Sequence, residues 1–413
     1  MSKAEGQVVI VGAGQAGLQA AETLRAGGYQ GNIILLGDEP YGPYHRPPLS
    51  KAWLAGEMDA AQLVMRAPEA LARKNIELRT SVKVSAIDTA KRNVRLAEGS
   101  TLHYTGLVLA TGSTPRALNV PGAGADGVLA LRSRDDASAI LRHLQNCGEK
   151  NVPVVVIGGG FIGLEVAATA RKRGLAVTVL EAAPRLLGRV LAPVLSDWYA
   201  QLHTAHGVSV LLNAQLSSVE SKDGQVVAAI TTDGRRFPAG LVVVGIGVCA
   251  NDALARAAGI ECDRGIVVDA CGRTSVAGVV AAGDCTARRL PDGSLLRLES
   301  VQNATEQGRS AAAALLGQER PFVATPWFWS DQYDKKLQMA GLSFGSDEWA
   351  VRGTLDAGIF SVCHFHRGKL IAVDSVNDSK THLLARKLLD AGVSPAPAQA
   401  ADTAFDLAGL LAK

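Results

Sequence analysis

The chain has 413 residues, of which 47% are hydrophobic and 20% charged, the profile of a compact α/β protein of two or three domains and not of a disordered chain. Lys and Arg total 42 against 39 Asp and Glu, a net charge of +3, which leaves little global field for nucleic acid, although a local basic patch can still steer a small acidic protein. Met1 to Gly6 is short and polar with no signal peptide visible, and no apolar run approaches the roughly twenty residues of a membrane helix, so no membrane partner and a cytoplasmic location are expected.

Val8-Val9-Ile10-Val11 reads as a buried strand that runs straight into Gly12-Ala13-Gly14-Gln15-Ala16-Gly17 and then an alanine-rich helical pattern. Glycine is required there on steric grounds. Gly12 allows the tight turn, Gly14 lets backbone approach a pyrophosphate, Gly17 lets helix pack on strand, and the helix N-terminus offers N–H donors to phosphate. Ile33-Ile34-Leu35-Leu36 then leads to Asp38, roughly twenty residues on, where a carboxylate can hold a ribose diol. Leu107-Val108-Leu109-Ala110-Thr111-Gly112 is a strand ending in a polar turn, and Asn146 to Pro153 reads as a linker.

A second unit of the same kind follows. Val154-Val155-Val156-Ile157 enters Gly158-Gly159-Gly160-Phe161-Ile162-Gly163, and Val177-Thr178-Val179-Leu180 leads to Glu181. One such motif also fits glycines that serve only a tight turn, whereas two complete units imply two bound dinucleotides with electrons passing between them. Glu181 predicts NADH over NADPH, because a carboxylate bonds a 2′-hydroxyl and repels a 2′-phosphate; Ala182 and Ala183 offer no positive replacement, and Arg185 is the one nearby cation that could.

Val242-Val243-Val244-Gly245-Ile246-Gly247 and Val279-Val280-Ala281-Ala282-Gly283-Asp284 are further strand-and-turn segments, read as crossovers that make the first domain discontinuous. Beyond residue 320 the texture changes to aromatics and alternation. Ile359 to His366 reads as a half-buried strand of a smaller α+β domain, and Phe405 to Leu411 as a short terminal helix packed on the surface.

The six cysteines, at 147, 249, 262, 271, 285 and 363, form no C-x-x-C pair, and none precedes residue 147, which excludes a disulfide relay in the first dinucleotide unit. The pairs His203/His206 and His364/His366 lack a third metal ligand and read as ordinary histidines.

These residues together resemble a known family, the FAD-dependent, NADH-using ferredoxin reductases of the glutathione-reductase fold, to which putidaredoxin reductase and the reductases of aromatic-ring dioxygenases belong. The resemblance covers nearly the whole chain. Its marks are both fingerprints, Arg46-Pro47-Pro48-Leu49-Ser50-Lys51, Ala110-Thr111-Gly112, Leu164-Glu165, Ala282-Gly283-Asp284, Glu299-Ser300-Val301 and Pro326-Trp327-Phe328-Trp329-Ser330-Asp331-Gln332-Tyr333.

The resemblance implies two Rossmann-like dinucleotide-binding domains plus a C-terminal α+β domain: FAD-binding over 1–110 and 245–320, NADH-binding over 111–244, and a C-terminal interface domain over 321–413. It also implies that Asp38 binds the adenosine ribose of FAD, that Asp284 meets the ribityl chain, and that Ala16, Lys51, Val84, Arg132 and Val301 line the flavin. Lys51 and Glu165 are implied as the catalytic pair, a lysine near flavin N5 and N1 that stabilises negative charge on the ring and a glutamate that keeps it charged and oriented. Two departures stand out. Ala250 replaces the proline usual before Asn251 and relaxes the turn at Gly247, and His45 stands where many relatives carry aspartate, a residue read as a surface histidine.

The implied reaction takes hydride from NADH onto FAD and passes single electrons to a [2Fe–2S] ferredoxin, which supplies a haem monooxygenase or a ring-hydroxylating dioxygenase. Arg66, Arg309, Lys335 and Lys336 are the docking candidates, with Trp329 between flavin and cluster; each also fits a solvated charge or a packing aromatic. Rubredoxin reductase is the competing enzyme. A redox-responsive flavoprotein similar to apoptosis-inducing factor is the competing class, and the cysteine-free first stretch argues against disulfide reductases and flavin peroxidases.

Overall fold

The computed structural model describes residues 6–412, so the polar stretch read at Met1 to Gly6 lies, apart from Gly6, outside the described residues. The described residues form two compact units, one built from residues up to His45, Ala60–Thr114 and Val248–Ala324, the other from Arg46–Asp59, Pro115–Gly247 and Thr325 onward.

In the first unit the strand Gln7–Val11 lies at the centre of a five-stranded parallel sheet, flanked by Asn32–Leu36 and Gly106–Leu109, with Ile76–Arg79 and Val279–Ala281 at the edges. Valine, isoleucine and leucine run continuously along the three inner strands because both faces are covered. Val8, Ile10, Ile33 and Leu35 join one apolar cluster, while Val9, Val11, Ile34 and Leu36 join another on the opposite face. The helices Gln15–Ala26 and Val301–Leu315 pack on the first face. They approach closely at Gly308, where a Cβ would stand 2.7 Å from the Ala16 carbonyl oxygen.

The second unit repeats the plan. Val154–Ile157 is the central strand of a parallel sheet ordered Val208–Leu211, Val177–Leu180, Val154–Ile157, Leu241–Val244, Val128–Ala130, and the helix Phe161–Lys172 follows its fingerprint. The expected linker at Asn146 to Pro153 is corrected here. The helix Arg134–Lys150, with a Ser133/Asp136 capping box, runs through most of it. Ala137, Ile140, Leu144 and Cys147 recur at helical spacing and are buried, so the apolar stripe outweighs Gly148, and only Asn151, a left-handed C-cap, ends the helix.

Within the same unit an antiparallel five-stranded sheet is ordered Trp327–Gln332, Lys335–Gly341, Lys369–Val376, Ile359–His366, Glu348–Thr354. Ile359–His366 is not half-buried as the alternation suggests: its six inner residues are all buried. Trp198 of the helix Pro193–Ala205 stacks edge-on against Phe360, while Phe365 and Cys363 join Leu388, Ala400 and Leu407 in an apolar cluster, so both faces of the strand are covered. The chain end forms a 3-10 helix at Ala408–Ala412, with Leu407 buried.

Candidate active site: two glycine cradles and a lysine–glutamate pair

The two fingerprints fold alike, each in its own unit. Gly12 has φ 113° and Gly158 φ 99°, a region costly for any residue with a Cβ. A Cβ on Gly12 would stand 2.1 Å from the Ala110 carbonyl oxygen, and one on Gly158 would stand 2.5 Å from that of Gly245. Each first glycine thus brings the fingerprint turn against a second turn, Ala110-Thr111-Gly112 in the first unit and Gly245-Ile246-Gly247 in the second. The third glycines close the helix onto its strand: a Cβ on Gly17 would meet Gly12 O at 1.9 Å, and one on Gly163 would meet Gly158 O at 2.3 Å.

The middle positions differ in kind. Around Gly14 nothing lies within 4 Å of an added Cβ, and at Gly160 only Gly245 O lies at 3.8 Å. Both residues are N-caps of their helices, and neither helix has a side-chain cap. Open space in front of uncapped N–H donors fits a pyrophosphate, so each cradle fits a dinucleotide.

In the first unit the parallel register Val11↔Leu36 sets Asp38, exposed, at the strand ends beside Gly12. The Ala110–Gly112 turn is fastened by Asn251. Thr111 Oγ1 donates to Asn251 O at 2.6 Å, Asn251 Nδ2 donates to Thr111 O at 2.9 Å, and Thr114 Oγ1 donates to Asn251 Oδ1 at 2.8 Å. Asp284 accepts from Ser113 Oγ at 3.1 Å. Buried Gln307 holds the turn before Asp284, its Oε1 accepting from Gly283 N at 2.8 Å and Thr286 Oγ1 at 2.9 Å. Val84 is buried in the strand Val84–Asp88, and Val301 opens the helix capped by Ser300. His45 is exposed, as read from the sequence.

In the second unit Glu181 reaches back to the fingerprint. Its Oε2 accepts from Gly159 N at 2.6 Å and its Oε1 from Ala183 N at 2.7 Å, leaving lone pairs on both oxygens for a ribose. Arg185 folds onto its own loop, donating to Gly188 O at 3.2 Å and Leu191 O at 3.4 Å. Its guanidinium is therefore engaged with carbonyls. Gly247 has φ 98° and its carbonyl accepts from Arg116 N at 2.9 Å.

Lys51 and Glu165 meet within this unit. Lys51 Nζ donates to Glu165 Oε2 at 2.6 Å, with side-chain exposures of 20% and 5%. Ser50 Oγ donates to the same oxygen at 2.5 Å, and Ser330 Oγ donates to Oε1 at 2.6 Å. The lysine follows the 3-10 turn Pro47–Ser50, where the two prolines fix φ, and the helix is tied to that turn by Thr169 Oγ1 donating to Ser50 O at 3.0 Å. Arg46 Nη1 donates to the carbonyl of Arg132 at 2.9 Å, which links the Arg-Pro-Pro tract to the segment before the helix Arg134–Lys150.

The docking candidates scatter. Arg66 pairs with Glu22 at 2.8 Å and Arg309 with Glu306 at 2.6 Å in the first unit. In the second, the register Asp331↔Lys336 and Gln332↔Lys335 puts exposed Lys336 on the face of Trp329 and half-buried Lys335 on the opposite face, where it pairs with Asp334 at 2.7 Å.

Sequence reasoning assigned no role to Ser50, His203, Asn251, Gln307, Ser330 or Gln332. Ser330 and Gln332 did carry a signal, two polar residues at period two following Phe328 on one strand face. Phe161 packs on Phe328 at 4.9 Å, so this face meets the fingerprint helix along Phe161 and Glu165, one turn apart. Among the described residues no group of three or more His, Cys, Asp or Glu is placed to hold a metal, and all six cysteines are free.

A family model for pyridine nucleotide-disulphide oxidoreductases matches residues 6–308. The chain belongs to that family. A second model, the reductase C-terminal domain, matches residues 327–411. Among curated members, the chain is 45% identical to rhodocoxin reductase of Rhodococcus erythropolis over 97% of this chain and 93% of the relative, and 45% identical to putidaredoxin reductase of Pseudomonas putida over 91% and 89%. Among solved structures it resembles the covalent putidaredoxin reductase–putidaredoxin complex, with a TM-score of 0.94, 41% identity and 98% coverage of both chains. The fold of two dinucleotide units with a C-terminal reductase domain is thus that of the oxidoreductase family.

Proposed function

We propose that this chain is an NADH-dependent ferredoxin reductase that binds FAD at the first cradle and NADH at the second, and delivers electrons one at a time to a [2Fe–2S] ferredoxin serving a haem monooxygenase or ring-hydroxylating dioxygenase. The observation that carries this reading is the pair of like-built glycine cradles, each beside its own carboxylate, in a chain with no cysteine before Cys147. When bound, FAD supplies what nicotinamide lacks, the capacity to accept two electrons together and release them singly. The names of the similar proteins, reductases of rhodocoxin and putidaredoxin, and a covalent complex with putidaredoxin support a small iron–sulfur carrier as the partner.

The residues have separate tasks in this reading. Asp38 and Glu181 hold the riboses, Gly12, Gly14, Gly17, Gly158, Gly160 and Gly163 admit the pyrophosphates, and Asn251 and Gln307 fasten the turns that carry Thr111 and Asp284. Glu165 holds Lys51 Nζ as a fixed positive group for charge that develops on the ring. Trp329 and Lys336, on one sheet face, are the docking residues tested first, with Arg66, Arg309 and Lys335 in the same series. No helix among the described residues is long and apolar enough to cross a membrane, and we propose a cytoplasmic location, where NADH is available.

The test is NADH-driven cytochrome c reduction by the flavin-loaded protein, with and without an acidic [2Fe–2S] ferredoxin, repeated with rubredoxin and with NADPH. Strong stimulation by ferredoxin with NADH is expected. Fast oxidation of NADH with no onward transfer to any carrier would overturn the reading, and equal stimulation by rubredoxin would move the partner to that class.

A further inference from the structure

We infer that Tyr333, His203, Gln332 and Ser330 form a one-way chain of hydrogen-bond donors that ends on Glu165 and, through it, positions Lys51. Ser330 Oγ donates to Glu165 Oε1 at 2.6 Å, Gln332 Nε2 donates to Ser330 Oγ at 3.2 Å, His203 Nε2 stands 2.8 Å from Gln332 Oε1, and Tyr333 OH stands 3.1 Å from His203 Nδ1.

The direction of each bond follows from the one before it. A carboxylate only accepts, so the Ser330 proton points at Glu165 and its oxygen is left to accept from the Gln332 amide nitrogen. The Gln332 oxygen then faces His203, whose Nε2 must carry the ring proton. Its Nδ1 is left as the acceptor for the Tyr333 hydroxyl. Donors aligned in one sense polarise one another and sharpen the orientation of the terminal group.

Three features fit this role. Ser330, Gln332 and His203 are buried at 0%, 1% and 0% exposure, so water does not compete for their bonds. His203 needs a neutral ring to donate at one nitrogen and accept at the other, and burial pushes its pKa down to about 4, with His206 adding to the shift and the Gln332 bond opposing it. Tyr333 occupies a left-handed backbone conformation, φ 56°, in the two-residue turn between Gln332 and Lys335, a position that suits Asn or Gly. Its ring is clamped there against His206, with centroids 3.7 Å apart and planes at 13°. Tyr199, which feels the charge of Glu165, is kept in its neutral phenol form by burial and by the nearby carboxylates.

The chain is a positioning device for the pair to which the proposed function assigns flavin chemistry, and it rests on that reading only for its effect on the flavin. The readout is therefore taken at Lys51 itself. In the flavin-loaded protein, the rate of Lys51 modification by an amine-reactive acylating reagent is followed by peptide mass spectrometry, with the other lysines as internal standards. Glu165→Gln releases Lys51 and sets the upper limit. Ser330→Ala is expected to raise Lys51 labelling about tenfold, for loss of the charge-assisted bond to Glu165, and Gln332→Met about threefold, for loss of the two neutral bonds behind it. Ser330→Thr, which keeps the hydroxyl, is expected to label as wild type, and Ser330→Ala in a Glu165→Gln background is expected to add nothing.

Unchanged Lys51 labelling in both Ser330→Ala and Gln332→Met, with Glu165→Gln raising it, overturns the inference. The rate of flavin bleaching by NADH, measured on the same samples, separates the two readings. Raised labelling with unaltered bleaching keeps the donor chain and overturns the role given to Lys51 on the flavin.

Discussion

Glu181 accepts the backbone N–H of Gly159 at 2.6 Å, so the carboxylate proposed to select the nucleotide is tied to the loop proposed to cradle its phosphates. On that proposal, ribose recognition and phosphate recognition share one hydrogen-bonded constellation in the second unit. Glu181→Gln removes the charge that repels a 2′-phosphate and weakens the tie to the loop. The ratio of kcat/KM for NADH over that for NADPH is expected to fall about tenfold, from loss of a charge-assisted bond on one side and repulsion on the other. Arg185, already donating to Gly188 and Leu191, is not expected to rescue NADPH further, and an unchanged ratio would sink the assignment of Glu181.

Gly14 and Gly17 separate ligand binding from folding. Gly14→Ala adds a methyl group into open space and is expected to leave the melting temperature of the flavin-free protein within about two degrees while abolishing FAD retention. Gly17→Ala forces its methyl group into the Gly12 carbonyl and is expected to destabilise the apoprotein as well, by about 2–4 kcal/mol. Flavin absorbance after gel filtration, together with thermal melts of the stripped proteins, checks both.

Lys51→Met strips one of three donors from Glu165, leaving Ser50 and Ser330 on the buried carboxylate. Because the hydroxyls remain and Lys51 is partly exposed, the expected loss of stability is about 1–3 kcal/mol, below that of a fully orphaned buried charge. Flavin reduction by NADH is expected to slow about tenfold in stopped-flow measurements, the loss of one charged interaction with the ring. A stable variant with wild-type reduction would remove Lys51 from the chemistry.

His203 makes stability depend on acid. Its folded pKa of about 4 lies below its unfolded value of 6.5, so between those values the unfolded chain holds more protons and stability falls as pH drops through the window. The loss is on the order of 2–3 kcal/mol by pH 4. His203→Asn is expected to start less stable at pH 7 and to show a flatter urea-midpoint profile from pH 6.5 to 4. A profile as steep as wild type would assign the acid sensitivity elsewhere.

Much of this was legible in the chain because its signals are local. The glycines, the strands before them and the carboxylates after them lie within single strand–turn–helix–strand units, where spacing alone specifies geometry. Leu144 and Cys147 show how a local reading fails. The stretch Asn146 to Pro153 reads as a linker, but the buried stripe from Ala137 onward carries the helix to Lys150. Ile359–His366 alternates as though one face met solvent, and packing of Trp198 from a sequence-distant helix on one face and of Leu388 and Ala400 from the following helices on the other buries both. The hydroxyl donors to Glu165 and the groups that stand behind them were invisible for a similar reason. Ser50, Ser330, Gln332 and His203 come from three distant segments, and nothing in the spacing of a serine or glutamine announces a partner more than a hundred residues away.

The contact of Phe161 and Glu165 with Phe328 and Ser330 bears on how such reductases can be recombined. The strand that opens the C-terminal domain supplies a hydroxyl to a glutamate on the second fingerprint helix. The C-terminal domain is therefore not an interchangeable adaptor: a chimera that exchanges residues after Thr325 to acquire another reductase's carrier also exchanges the setting of Glu165. Grafts that carry the helix Phe161–Lys172 along with the new C-terminal domain keep the two halves of that interface matched.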